Sequence, residues 1–232
     1  MGKLSEGRGK ADRAGPQYGV GLVRLQTRRA FMGLVVSSLA MMSGPVWAKS
    51  ARIVALGDSL SAGYLLADKD SFPSVLERLL RAKGHAVEIV NAGVSGDTAS
   101  GGLDRLDWAV GEGADLVIVE LGANDMLRGV DPTITRTALA EILTRLKARG
   151  IKVLLAGMVA APGMGAQYEG QFNTLYPDLA KQFGVPLYPF FLDGVAGNRA
   201  LLLSDGMHPN PQGVEVIARS ILPKVEEVLG LK

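Results

Sequence analysis

The stretch Ile53-Val54-Ala55-Leu56-Gly57-Asp58-Ser59-Leu60-Ser61 decides the fold. A short continuous apolar run halted by glycine reads as a strand over Arg52–Leu56. Such a strand, apolar without alternation, suits a parallel sheet covered on both faces. The segments around it agree. Phe72–Lys83 has helical spacing, with Phe72, Val75, Leu76, Leu79 and Leu80 on one face, Ser71 as its cap and Pro73 in the first turn. Val87–Val90 reads as a strand closed by Asn91-Ala92-Gly93, and Leu116–Leu121 as another, apolar apart from Glu120. A helix over Pro132–Arg149, a strand over Val153–Ala156, a helix over Gln171–Phe183, a short strand at Leu187–Tyr188 and a last helix over Pro211–Leu229 complete the alternation. Strand-helix alternation predicts an α/β fold with a five-stranded parallel sheet. Sites in such folds lie at the carboxyl ends of the strands.

The chain has 232 residues, no cysteine and two histidines. Disulfides, thiolate metal sites and cysteine catalysis are excluded. Residues 1–48 read as an export leader. It carries Arg24, Arg28 and Arg29, the apolar stretch Ala30 to Met42, and the small-residue end Pro45-Val46-Trp47-Ala48, suited to cleavage after Ala48. Thr27-Arg28-Arg29-Ala30-Phe31-Met32 resembles a twin-arginine signal. The apolar stretch is short for a membrane span. The expectation is recognition by export machinery, a periplasmic or secreted product, and no stable membrane span once the leader is removed. Without the leader, residues 49–232 carry 18 basic and 21 acidic residues, and the net charge moves from +2 to −3. No basic stripe remains for nucleic acid. The 184 residues suffice for one domain with a sizeable core.

Four segments at strand ends carry chemistry. Ser59 lies just past the first strand, where Gly57 permits a sharp turn. A serine hydroxyl there is either a helix cap or, with a base at hand, a nucleophile. Asp58 reads as a brace for that turn. Ser204-Asp205-Gly206-Met207-His208-Pro209-Asn210 puts Asp205 three residues before His208, close enough to orient the imidazole as a base. Ala92-Gly93-Val94-Ser95-Gly96-Asp97-Thr98 and Leu121-Gly122-Ala123-Asn124-Asp125 follow two more strands. The Gly93 amide, the Asn124 side chain and the Ser59 amide are candidate donors to an oxyanion, with Asp97 and Asp125 bracing the loops. His85, in the helix-to-strand turn Lys83-Gly84-His85-Ala86, reads as a solvated residue at the other edge. Phosphate loops, dinucleotide fingerprints and His-Glu-x-x-His are absent, and Ser61 occupies the last glycine of a Gly-x-Ser-x-Gly elbow. The two separated histidines give no metal set, and no cofactor is required.

Taken together the four segments resemble the GDSL, or SGNH, hydrolase superfamily, from about Arg52 to Leu229. The resemblance implies a flavodoxin-like three-layer α/β/α sandwich, Ser59 as nucleophile, Asp205 and His208 as the rest of a catalytic triad, and Ser59, Gly93 and Asn124 as the oxyanion hole. The segments around Gly96, Asn124 and Tyr176-Pro177-Asp178-Leu179-Ala180 are most similar to its exported bacterial thioesterase, lysophospholipase and arylesterase branch. The implied substrate is a small acyl ester or thioester. Met126 departs from the glycine frequent in relatives and adds bulk beside the site. Met126, Met158, Pro162 and Met164 are the candidate substrate-binding residues, with Tyr64, Leu65 and Leu66 a second wall. A carbohydrate O-deacetylase of the same superfamily and a catalytically silent flavodoxin-like binding module are the alternatives.

Overall fold

The computed structural model describes residues 15, 16, 19 and 50–231, so all of the expected leader but Gly15, Pro16 and Gly19 lies outside the described residues. Strand β1 (Ala51–Gly57) runs into a four-residue helix α1 (Ser59–Ala62), followed by α2 (Phe72–Ala82) and β2 (Val87–Gly93). Two short helices, α3 (Ala99–Asp104) and α4 (Leu106–Val110), lead to β3 (Leu116–Glu120), α5 (Ala123–Leu127) and α6 (Pro132–Ala148). Then come β4 (Lys152–Ala156), α7 (Ala166–Phe183), β5 (Leu187–Tyr188) and α8 (Pro211–Leu229). The five strands form one parallel sheet in the order β2-β1-β3-β4-β5.

The order follows from burial. Ile53 to Leu56 and Leu116 to Val119 are wholly buried, so β1 and β3 need cover on both faces and take the middle of the sheet. Helices α2 and α8 pack together on one face. Helix α6 packs between α3 and α7 on the other, making three layers. The buried side of α8 includes Val214, Ile217, Ala218, Ile221 and Val225. Its cap is Asn210, whose Oδ1 accepts the Gly213 N–H at 3.0 Å.

Three features differ from expectation. Ser71 stands at the cap of α2, but its hydroxyl turns back to donate to the Asp68 carbonyl (2.8 Å) and makes no cap bond. Helix α7 begins at Ala166, ahead of Gln171, because Tyr168 stacks on Phe172 and its hydroxyl donates to the Val130 carbonyl. Helices α3 and α4 fill a stretch where no element was expected. Gly102 belongs there because a Cβ would meet Leu121 Cδ1 at 2.3 Å.

Candidate active site

The turn after β1 is built around two buried acids. Asp58 Oδ1 accepts the Leu60 N–H (3.0 Å), which starts α1. The Asp58 N–H donates to Glu120 Oε2 (3.3 Å), and Ser61 Oγ donates to the same oxygen (2.8 Å). Gly57 is required, since a Cβ would lie 2.2 Å from Ser61 Oγ and 2.5 Å from Glu120 Oε2. This places Ser59 as the first residue of α1, where helix amides lack internal partners. Its N–H has no hydrogen-bond partner among the described residues.

From the other end of the chain, the loop between β5 and α8 delivers an imidazole. A single antiparallel bridge joins Leu202 to Pro209, and the Leu203 N–H donates to the His208 carbonyl. Within this pinched loop Asp205 Oδ1 accepts the N–H of Met207 (2.9 Å) and of His208 (3.1 Å). Asp205 Oδ2 lies 2.7 Å from His208 Nδ1, and His208 Nε2 lies 2.9 Å from Ser59 Oγ. Residues 149 apart in sequence thus meet at the carboxyl edge of the sheet. The two amides and the imidazole hold Asp205 down at about 2, so it is an anion at any working pH. That charge favours the Nδ1–H tautomer, which leaves Nε2 an acceptor facing the Ser59 hydroxyl.

Asn124, near the start of α5, donates through Nδ2 to Asp58 Oδ2 (3.0 Å). An amide carries two N–H bonds, so the second remains for a ligand. Gly122 precedes it at φ +114°, and a Cβ there would strike the Tyr176 hydroxyl, which donates to the Leu121 carbonyl. Burial pushes Asp58 up to about 6, opposed by the Leu60 amide and Asn124. Asp58 and Asp125 brace their loops. Asp125 is buried and accepts the Ala99 N–H (2.8 Å) and the Thr135 hydroxyl (2.9 Å). Asp97 pairs with the buried Arg105, which also donates to the carbonyls of Ala92 (2.7 Å) and Gly57 (2.8 Å) and so ties the ends of β1 and β2.

Other positions depart from the sequence reading. The Gly93 N–H is already given to Asn91 Oδ1 at 3.0 Å. The reason for glycine at 93 is packing, since a Cβ would lie 2.3 Å from the Ala62 nitrogen. Gly96 turns at φ +86°, and its N–H has no partner among the described residues. Met158 belongs to the hydrophobic core, 4% exposed, so it has little surface left for a substrate. Met126 is half-buried against the core and Pro162 is exposed. Met164 lines an open cleft of about 520 Å³ with Gly129, Asp131, Tyr168 and Gln171. Tyr64 has a larger part than expected, its ring lying 4.4 Å from that of His208 at 34°. His85 is not solvated: its ring is 10% exposed and pairs with Glu226 at 2.8 Å. Arg105, Glu120 and Gly96 were missed. The signal for the first two was a charge in an otherwise apolar or small-residue context.

A three-layer sheet with a serine, an imidazole and a carboxylate aligned at its carboxyl edge defines a class, the serine hydrolases. Within it, the chain belongs to the GDSL-like lipase/acylhydrolase family, whose model matches residues 55–216, and is an ester hydrolase of that family. It is 38% identical to an arylesterase of Vibrio mimicus over 173 residues, 74% of this chain and 86% of that protein. It is 39% identical over 167 residues to thioesterase 1/protease 1/lysophospholipase L1 of Escherichia coli, 72% of this chain and 79% of that one. Among solved structures, the psychrotrophic esterase EstA from Pseudoalteromonas sp., inhibited by monoethylphosphonate, superposes with a TM-score of 0.74 at 28% identity, over 78% of this chain and all of EstA. No helix among the described residues is long and apolar enough to cross a membrane.

Proposed function

We propose that the chain is an exported serine esterase that cleaves acyl esters or thioesters of the arylesterase, lysophospholipase and thioesterase type. The observation that carries the mechanism is the relay Ser59 Oγ, His208 Nε2, His208 Nδ1, Asp205 Oδ2, with links of 2.9 and 2.7 Å. Ser59 Oγ attacks the acyl carbonyl carbon while its proton passes to His208 Nε2, and the carbonyl electron pair becomes the oxyanion. The imidazolium, stabilised by Asp205, returns the proton to the departing alcohol or thiol. Water then gives its proton to His208 and attacks the acyl-serine, releasing the acid and restoring Ser59. The Ser59 N–H and Asn124 Nδ2 hold the oxyanion. Of the glycine amides after β2, Gly93 is engaged by Asn91, so it would have to share its hydrogen, and the unpartnered Gly96 N–H is the stronger third donor. Tyr64 walls the imidazole, while Met126, Pro162 and Met164 remain the candidates for acyl contact.

The leader pattern of residues 1–48 supports export to the periplasm or beyond, with 49–232 as the working enzyme. One measurement tests both parts. Protein recovered from the periplasm and treated with an organophosphonate should show the intact mass of 49–232 plus a single adduct, mapped by peptide analysis to Ser59. A retained leader would sink the export reading. Absence of the adduct would sink the nucleophile.

A further inference from the structure

Among the described residues, Glu120 is the one fully buried carboxylate that lies on a strand of the sheet. It ends β3, beside Gly57 in register, and is completely buried. Its Oε2 accepts from the Asp58 N–H and from Ser61 Oγ, the two donors that flank Ser59 in the chain. Its Oε1 is buried with no partner among the described residues, and no Lys, Arg or His among them forms an ion pair with Glu120. The groups around it offer no neutralisation. Asp58, from the turn after β1, is itself an acid. The Tyr176 hydroxyl, from α7, is spent on Leu121. Arg105 is committed to Asp97 and to the Gly57 and Ala92 carbonyls. An anion here would sit dry against a second anion, helped only by the Asp58 and Ser61 amides and the Ser61 hydroxyl and with Oε1 unpartnered, a costly state for a carboxylate.

We infer that Glu120 works as a neutral carboxylic acid, its proton on Oε1, and is a positioning residue that fixes both flanks of the nucleophile through Oε2. Placing the proton on Oε1 leaves both Oε2 lone pairs for the two donors. It also leaves the negative charge of the acid pair on Asp58, which needs it to hold the Leu60 amide and Asn124. Burial, and after it the charge of Asp58, pushes the Glu120 carboxyl well above the ordinary carboxylate range, in agreement with the geometry. The role presupposes Ser59 as the nucleophile; the protonation does not.

The test uses Glu120→Gln and Glu120→Ala in the enzyme formed by residues 49–232. Infrared difference spectra between wild type and Glu120→Gln at neutral pH should contain a protonated-carboxyl C=O band that belongs to Glu120. Glu120→Ala should lower kcat on aryl esters on the order of a hundredfold, with KM near wild type, because a displaced nucleophile loses rate before binding. Glu120→Gln, which keeps an acceptor at the Oε2 position and donors at Oε1, should recover most of that loss. It should also lack the alkaline fall in rate that ionisation of Glu120 imposes on the wild type. A carboxylate band in place of the acid band would overturn the protonation. Glu120→Gln as impaired as Glu120→Ala, or an unchanged alkaline limb, would overturn the positioning role. The spectrum reads the proton without turnover, and phosphonate uptake by the wild type reports on Ser59 alone, so failure of either reading is visible separately.

Discussion

The two histidines occupy opposite ends of the sheet, and each holds a carboxylate at almost the same distance: His208 to Asp205 at 2.7 Å, His85 to Glu226 at 2.8 Å. Both rings are largely buried, 18% and 10% exposed. The difference lies in what surrounds each pair. Asp205 is fixed by two backbone amides of its own loop, and the far nitrogen of His208 meets a serine hydroxyl. Glu226 is shared between His85 and Lys83, side chains from the turn before β2, and the pair ties that turn to α8. A histidine and a carboxylate in contact are therefore a tie by default. They become a relay when the carboxylate is locked locally and a third group waits on the other nitrogen.

The largest effects should come from breaking the relay. Ser59→Ala and His208→Ala should each lower kcat on an aryl ester on the order of a thousandfold or more, with residual turnover from the oxyanion donors. Their thermal midpoints should stay near that of the wild type, since the site lies at the sheet edge. Near-native turnover in Ser59→Ala would erase the distinction between the two histidine pairs.

A smaller effect should come from the ground beneath the relay. Asn124→Ala should cost on the order of a hundredfold in kcat if its side chain is the oxyanion donor proposed above. Asp58, which holds Asn124, adds a pH signature. Burial raises its pKa from the ordinary 3.8 to about 6, so it takes up a proton as pH falls through that value. Its grip on the Asn124 amide weakens in step, and turnover should drop. Stability moves the other way. Between 3.8 and about 6 the folded state holds the Asp58 proton more firmly than the unfolded one, so this group's contribution falls as pH rises through that window and is level above it. Asp58→Asn should remove both trends, as pH–rate profiles and urea titrations across the range would show. Rate and stability falling together on acidification, with Asp58→Asn unchanged from wild type, would detach Asp58 from the site.

How much of this was legible depends on the range over which each residue finds its partner. The central strands, α2, α6 and α8 were readable because an apolar run or a helical stripe is a local signal. Asp205 and His208 were readable for the same reason, three residues apart in one loop. Helices α3 and α4 were hidden because Gly101 and Gly102 argue against a helix, and Gly102 answers to the Leu121 side chain across the fold. Glu120 looked like a blemish in a strand because its partners, Asp58 and Ser61, lie on another strand's exit. A glycine closing a strand reads as a free amide donor, yet the Gly93 N–H is taken up by the Asn91 side-chain carbonyl two residues away, because side-chain direction is invisible in the letters. Met158 and Met164, six residues apart on one loop, separate into core and cleft for the same reason.

The smallest effect should come from the other histidine, and it tests the comparison from its quiet side. His85→Ala should leave kcat within about twofold of wild type while lowering stability by about 1 kcal/mol, the upper end of the range for solvent-exposed ion pairs. Lys83 keeps hold of Glu226 in the variant, so the loss is partial. The pKa of Glu226 is held below its ordinary value, first by the hydrogen bond from Lys83 and then by that from His85. A carboxylate of depressed pKa stabilises the fold above its unfolded titration point and loses that contribution as pH falls through the folded one. The stability gap between wild type and His85→Ala should therefore be widest toward neutrality and close in acid, as urea unfolding at a series of pH values would measure. A gap that widens in acid, or a fall in kcat comparable to that of Asn124→Ala, would show that the turn before β2 and the serine edge of the sheet are coupled.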